Sequence, residues 1–449
     1  MLQTLINAFK VKEIRRKVYM MLLLLLVFRI GCFIPVPGLV RTTFEGIVNN
    51  PENPNAFLQL LSGVTGGALA QGTLFALGIG PYINASIIMQ LLGVGIPALE
   101  RLSKQGEEGR KKISQYTRYL TIVLAVVQSI GIIFSFAANN GTQSALDMQF
   151  FGGSKFLTGA FMTIVYTAGA MLVMWLGERI TDYGVGNGQS MIIFIGIIAT
   201  AGTSIMNSVQ EFGTNEAGIR AIVNVTTFLI AAIVIFFAIV YVDLSERRVP
   251  VQYAKQIKGR KMYGGQSSNI PIRIAGGGVM PLIFSFSILS FPQLIASMIK
   301  NGENGFARWW NEWMSGNSQN DWGVLIYTTV LCLLIFAFSF FYAQMQFNPE
   351  DVSKNIQQNG GFIQGIRPGK ATENYLKKIS NRITLFGAIY LALIAFIPTV
   401  IFTFASGNQQ LLVNAFSTTG ILIVVSTAME FEKQLQAQLM MKNYKGFLK

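Results

Sequence analysis

At 449 residues, with 51% hydrophobic and only 12% charged residues and a mean hydropathy of +0.47, the chain is far too apolar for an ordinary soluble protein of its size. Its formal charge of +14 would point to nucleic acid in a soluble protein, but here the distribution of charge between segments carries more information than the sum. Two cysteines, Cys32 and Cys332, both inside apolar stretches, and the absence of histidine exclude a disulfide framework and the usual zinc ligand sets, so no metal site is expected.

The chain opens on an amphipathic segment. Leu2, Leu5, Ile6 and Phe9 recur at helical spacing, and Lys10, Lys12, Arg15, Arg16 and Lys17 precede the Leu22 to Val27 run. That order is also the order of a secretory signal, but no small-residue cleavage site follows, so the segment is expected to lie along a membrane surface. Ten stretches of about 20 apolar residues, the length a bilayer requires, then run at 18–36, 74–94, 119–137, 156–176, 188–206, 221–242, 276–298, 323–346, 384–403 and 411–429. The second, seventh and ninth contain Pro81, Pro281 with Pro292, and Pro398, which a membrane bundle accommodates more readily than a soluble helix, and these spans are expected to be kinked or broken. Between the first two spans, Phe57 to Val64 and Gly66 to Ala70 form a stretch too short and glycine-rich to cross. It is either an external loop or a re-entrant half-helix, which is permitted only where protein or a water-filled cavity surrounds it.

Loop charge orients the spans. Arg41, Lys155, Arg220, Lys300 and Arg308 fall on one side and nearly every other Lys or Arg on the other. The positive-inside rule then places both termini in the cytoplasm with the loops at 95–118, 177–187, 243–275 and 347–383. Loops of about 30 residues exceed what a helix connection needs. The 243–275 loop carries Arg247, Arg248, Lys255, Lys258, Arg260, Lys261 and Arg273 among Val, Tyr and Ile, a pattern that predicts a folded hairpin serving as a docking surface.

The machinery of catalysis is missing. A phosphate-binding loop ending at Gly369-Lys370 would need glycine at 364 and Ser or Thr at 371, where the chain has Gln364 and Ala371. No span holds paired carboxylates, and no serine has a histidine base. Neither an enzyme nor a nucleotide or other cofactor is expected. Arg29 is essentially the one charge inside a span, which disfavours an ion-coupled transporter needing a titratable midplane group.

The sequence Phe75-Ala76-Leu77-Gly78-Ile79-Gly80-Pro81-Tyr82-Ile83-Asn84-Ala85-Ser86 resembles the SecY family, the central subunits of the bacterial protein-translocation channel. Agreement extends to Arg29-Ile30-Gly31, Ile34 to Gly38, Gly106 to Arg118, Gly184 to Gly188, Tyr253-Ala254-Lys255, Gln346 to Pro349 and Gly365 to Gly369, in the order the topology requires. The resemblance implies an all-α polytopic membrane protein of ten transmembrane helices in two pseudo-symmetric halves, 1–210 and 211–449. An odd number of spans per half makes the second copy inverted.

By the same resemblance, Ile79, Ile83, Ile193, Ile283 and Ile423 form an apolar pore ring, of which Ile79 and Ile83 share one helix face. A plug at about 57–71, including Phe57, Leu60, Leu61, Gly63, Gly66 and Gly67, closes it. Asn84, Gln90, Gln128, Ser285 and Ser287 line a lateral gate between spans two and three on one side and seven and eight on the other, with ordinary helix-packing hydrogen bonds as the alternative role of each. Arg247, Arg248, Arg260, Lys261 and Arg367 dock the SecA ATPase or ribosomal RNA.

The implied partners are SecE and SecG in a heterotrimer, signal-sequence-bearing polypeptides and membrane lipid, and the implied place is the bacterial cytoplasmic membrane. The chain departs from the family at Lys261, where a second arginine is frequent, and at Ser417-Thr418-Thr419-Gly420, where Gly-Gly-Thr-Ser is common. A small-solute transporter or channel on a similar inverted-repeat bundle is the competing reading.

Overall fold

The computed structural model describes residues 2–39, 62, 65–137, 154–210, 230, 233–253, 256–258, 261–263, 267–274, 276–278, 280–298, 305–314, 321–405 and 418–446. The protein is an all-α membrane bundle that carries, among the described residues, a three-stranded sheet and a two-stranded ribbon. Helix α1 (Leu2–Lys10) leads into α2 (Lys12–Gly31), followed by α3 (Gly80–Gly95), α4 (Pro97–Lys104), α5 (Glu107–Ala137), α6 (Lys155–Tyr183) and α7 (Gly188–Gln210). After α8 (Ile233–Leu244) the chain forms β1 (Glu246–Tyr253), β2 (Gln256–Lys258), β3 (Lys261–Tyr263) and β4 (Ser267–Arg273). Then come α9 (Met280–Met298), α10 (Gly305–Trp313), α11 (Asp321–Gln346), α12 (Pro349–Gln358), β5 (Gly361–Phe362), α13 (Lys370–Ala405) and α14 (Thr418–Gly446).

Each of the ten apolar stretches overlaps a helix. Among the described residues four segments are long and apolar enough to cross a membrane outright, Glu107–Ile133, Phe156–Tyr183, Trp322–Gln358 and Lys370–Ile397. Helices α3 and α4, bent by 105° between them, make a fifth if taken as one broken span.

The expected proline kinks are corrected in the second span. Residues 74–79 run in turns, and Pro81 stands in the first turn of α3, where its missing N–H has no helical acceptor to lose. The sharp break comes instead at Ile96, just before Pro97 opens α4. Pro292 and Pro398 lie inside α9 and α13, which run on past them.

The loops expected at 95–118 and 347–383 are largely helical, because α5 and α13 begin well before their apolar stretches. Hydropathy registers only the part of a helix that lipid surrounds, not its polar continuation into water. Local chemistry sets several of these starts. The Ser154 hydroxyl accepts from Leu157 N at 3.5 Å at the head of α6. The Asn348 side chain accepts from Glu350 N at 3.1 Å before Pro349 opens α12.

Packing divides the bundle. Helices α2, α3, α5, α6 and α7 pack on one another, as do α9, α11, α13 and α14. The two groups meet along two seams, α9 against α3 and α5, and α14 against α7. At the centre, one apolar cluster takes side chains from both groups, among them Phe28, Leu176, Ile180, Ile192, Leu282, Ile335 and Val425.

Candidate functional site

The site is built from three layers along the bundle. At its centre, all five isoleucines singled out in the sequence belong to the same apolar cluster. Ile79 caps the N-terminus of α3 and its carbonyl accepts from Ile83 N at 3.1 Å, so one helical turn carries two of them. Ile193 comes from α7, Ile283 from α9 and Ile423 from α14. Ile79, Ile193 and Ile423 are buried, and Ile83 and Ile283 are half-buried at the cluster's edge. Four helices from both halves thus converge on isoleucines with no polar group among the five. Such a surface presents no polar or charged group that could hold an ion.

Against this cluster lies the segment that the sequence left as either external loop or half-helix. Its described part is interior: Thr65, Ala68, Leu69 and Thr73 are all buried, and Ala68 belongs to the central cluster. Residues 65–72 run in turns rather than as a helix. Gly67 N donates to Ser62 O at 2.8 Å, and Val36 N and Leu74 N bond to Gly72 O and Ile34 O at 3.1 and 2.9 Å. Arg29 is no lipid-exposed charge, because its Nη1 donates to Gly66 O at 3.3 Å while its guanidinium stacks 5.4 Å from the Phe33 ring. Gly66 has φ +71°, and a Cβ there would stand 2.5 Å from Arg29 Nη1, so the position accepts only glycine without displacing that contact. Of the other expected plug residues, Gly67 is described at φ +82°. Phe57, Leu60, Leu61 and Gly63 lie outside the described residues.

The second layer is the seam between α3, α9 and α11. Phe284 sits in the middle of it, its ring 4.8 Å from Tyr342 and 6.1 Å from Phe338, with Ile87 of α3 in the same cluster. Tyr342 OH donates to Gln90 Oε1 at 2.7 Å, and Gln90 Nε2 donates to Ser86 Oγ at 3.1 Å, so a hydrogen bond crosses this seam between the two helix groups. The other expected gate residues divide. Asn84 and Gln128 are buried, and Gln128 Oε1 has no hydrogen-bond partner. Ser285 spends its hydroxyl on Pro281 O of its own helix at 2.7 Å, and Ser287 O accepts from Ser290 Oγ at 2.6 Å. Sequence reasoning missed Tyr342, Phe284 and Phe338. The spacing of Phe338, Phe341 and Tyr342 at i, i+3 and i+4 marks one face of a helix and was the available signal.

The third layer is the sheet. Strand β1 pairs antiparallel with β4, Arg248 opposite Pro271 and Val249 opposite Ile270, and with β5 on its other edge, Gln252 opposite Phe362. The two basic loops are therefore one structure. Val249, Val251 and Ile272 point inward onto Ile356, Ile363 and Leu376, which come from the second loop and the start of α13. Arg247 and Arg248 are both exposed, with Arg248 Nε 2.8 Å from Glu246 Oε1. The ribbon β2–β3 extends the hairpin and pairs Lys258 with Lys261; Arg260 lies outside the described residues.

Arg367 is exposed between Gly365 at φ +82° and Gly369 at φ +96°, which reverse the chain where a side chain would be strained. Its carbonyl accepts from Thr372 Oγ1 at 2.9 Å, which ties the turn to α13. Beside it a hollow of about 520 Å³ is lined by Gln357, Gly360, Phe362, Gly365, Arg367 and Pro368. On α12, Lys354 Nζ donates to Glu350 Oε1 at 2.6 Å.

Comparisons with known proteins bear on the family and the fold. The SecY family model matches residues 73–432. Curated relatives named protein translocase subunit SecY match over 100% of both chains, at 39% identity in Streptomyces scabiei and 40% in Halalkalibacterium halodurans. Among solved structures, a protein-conducting channel superposes with a TM-score of 0.65 at 21% identity, covering 95% of this chain and 93% of its own. Sec61 from a canine ribosome–channel complex of the endoplasmic reticulum gives 0.63 at 19% over the same shares, so the fold is common to both. With a family model matching most of its length and relatives near 40% identity end to end, this chain belongs to the SecY family.

Proposed function

We propose that the protein is the pore subunit of a protein translocase, passing unfolded polypeptides across a membrane and releasing apolar segments sideways into it. The observation that carries this reading is the convergence of Ile79, Ile83, Ile193, Ile283 and Ile423, from both halves of the bundle, into one cluster closed by a buried turn-rich segment. Full-length relatives carrying the translocase name support it. In this mechanism the isoleucines seal the resting pore and later fit around a polypeptide of any sequence, since dispersion contacts do not discriminate between side chains. Segment 65–72 withdraws on opening, which requires the Arg29 bond to Gly66 to break. The halves 1–210 and 211–449 part along the α3–α9–α11 seam, where the bond from Tyr342 to Gln90 opens.

No catalytic role is assigned to the chain. Energy comes from a partner seated on Arg247, Arg248, Arg260, Lys261 and Arg367: the SecA ATPase, or a ribosome whose phosphates the cations meet. SecE and SecG complete the channel in the bacterial cytoplasmic membrane, with both termini and the sheet on the cytoplasmic side. Reconstituted with SecE and SecA, the protein is expected to render a secretory precursor protease-resistant only when ATP is added. Equal protection in vesicles lacking this chain overturns the assignment.

A further inference from the structure

Helix α10 belongs to none of the three layers. It joins α9 to α11 at the end of α9 opposite the sheet, with only residues 299–304 and 314–320 between the helices. One face of it is seated on α9: Ala307 and Trp310 are buried against Ala296, and Trp310 Nε1 donates to Gln293 Oε1 at 2.6 Å. Gln293 Nε2 in turn donates to Asn311 Oδ1 at 3.4 Å. Beside that seat, Phe306, Trp309 and Trp313 fall within an arc of about 60° at the α-helical rotation, and they are 43%, 50% and 39% exposed. The opposite side holds Arg308 and Glu312, paired at 2.9 Å. The helix therefore has three sides: one on protein, one aromatic and uncovered, one charged.

We propose that α10 is an interfacial anchor whose occupant is the lipid surface, with Phe306, Trp309 and Trp313 sunk into the boundary between headgroups and acyl chains. Three observations favour lipid over water or protein. The bond from Trp310 to Gln293 fixes α10 at the level where α9 leaves the bilayer, a few residues from the end of that helix. Both neighbouring spans also expose apolar surface, with Ile295 of α9 51% exposed and Trp322 at the start of α11 69% exposed. Four of the chain's five tryptophans are Trp309, Trp310, Trp313 and Trp322, and indole rings concentrate at membrane–water interfaces because one edge is apolar and the N–H is polar. An amphipathic helix in this setting lies in the membrane plane with its apolar side about 5–10 Å into the boundary region. This assignment rests on the chain being a membrane protein and not on what it transports. Because α10 is clamped to α9, it holds the outer end of a seam helix at a fixed depth.

The test uses the full chain in phosphatidylcholine vesicles carrying bromine either high or low on the acyl chains. In the unmodified protein, tryptophan emission is expected to be quenched more by the shallow bromines than by the deep ones. The W309F/W313F variant keeps Trp310 and its seat on Gln293, and is expected to lose about half of the emission that shallow bromines quench. A variant whose lost emission was quenchable by aqueous acrylamide instead places this side in water, and one whose lost emission was quenchable by neither agent places it against protein. Either result overturns the proposal, as does stronger quenching of the unmodified protein by the deep bromines.

Discussion

The central isoleucine cluster and the cluster beneath the sheet are both apolar, and both are assembled from segments far apart in sequence, yet they specify their neighbours in opposite ways. In the centre, five isoleucines arrive from four helices and meet through unspecific aliphatic contact. Under the sheet, Val249 and Val251 are placed by strand register, by a third strand of only two residues and by a turn that needs Gly365 and Gly369 at positive φ. Under the proposed function the centre yields to whatever passes through it. The sheet would then hold Arg247, Arg248 and Arg367 in fixed relative positions, since cation recognition of phosphate or carboxylate depends on geometry. One region is defined by composition, the other by register.

The largest effect that would break this comparison lies in the sheet. Val251 is fully buried and faces helix α12 and the start of α13. Replacing it by aspartate places a carboxylate where no donor faces it, at an expected cost of about 3–5 kcal/mol. The Val251→Asp protein is expected to remain in the membrane and to lose the sheet, read as rapid proteolytic cleavage between Glu246 and Arg273, together with loss of partner-driven translocation. Intact protease resistance in that variant means the two loops do not depend on each other for their fold.

How much of this was legible in the sequence follows the same division. The apolar stretches could be read because lipid demands length and hydropathy, and the hairpin could be read because Val, Tyr and Ile stand among the basic residues of 243–275 where a low-complexity tail would have none. The pairing of Phe362 with Gln252 could not, since a two-residue strand has no period and its partner lies across four helices of chain. The five isoleucines were picked by resemblance alone; nothing in their spacing distinguishes them from isoleucines that face lipid. Tyr342 lies outside the expected gate residues, which are amides and hydroxyls of spans two, three and seven, while its OH reaches Gln90 from span eight.

That bond supplies an intermediate effect. Tyr342→Phe keeps the ring against Phe284 and removes only the donor to Gln90 Oε1, for which about 1 kcal/mol of closure is expected to be lost. The shift corresponds to roughly a fivefold rise in the open fraction. It is measured as more frequent opening in planar-bilayer recordings, or as transport of precursors with weakened signal sequences. Unchanged opening means the seam is held by its aromatic cluster, and the hydrogen bond merely accompanies it.

The smallest effect is the most telling for the centre. Ile83→Val removes one methylene from a half-buried member of the cluster, and such a change lowers stability by about 0.5–1.5 kcal/mol at a tightly packed site. At Ile83 the loss is expected at the bottom of that range, with the translocation rate within about twofold of the original, because neighbouring Ile79 and Ile283 can close over the missing group. The same methylene removed at Ile272 of strand β4, which packs into the cluster beneath the sheet, is expected to sit at the top of the range. Thermal unfolding of the two variants side by side measures the difference. If Ile83→Val proves the more damaging of the pair, the centre is shaped by exact fit and the contrast between the two clusters is wrong.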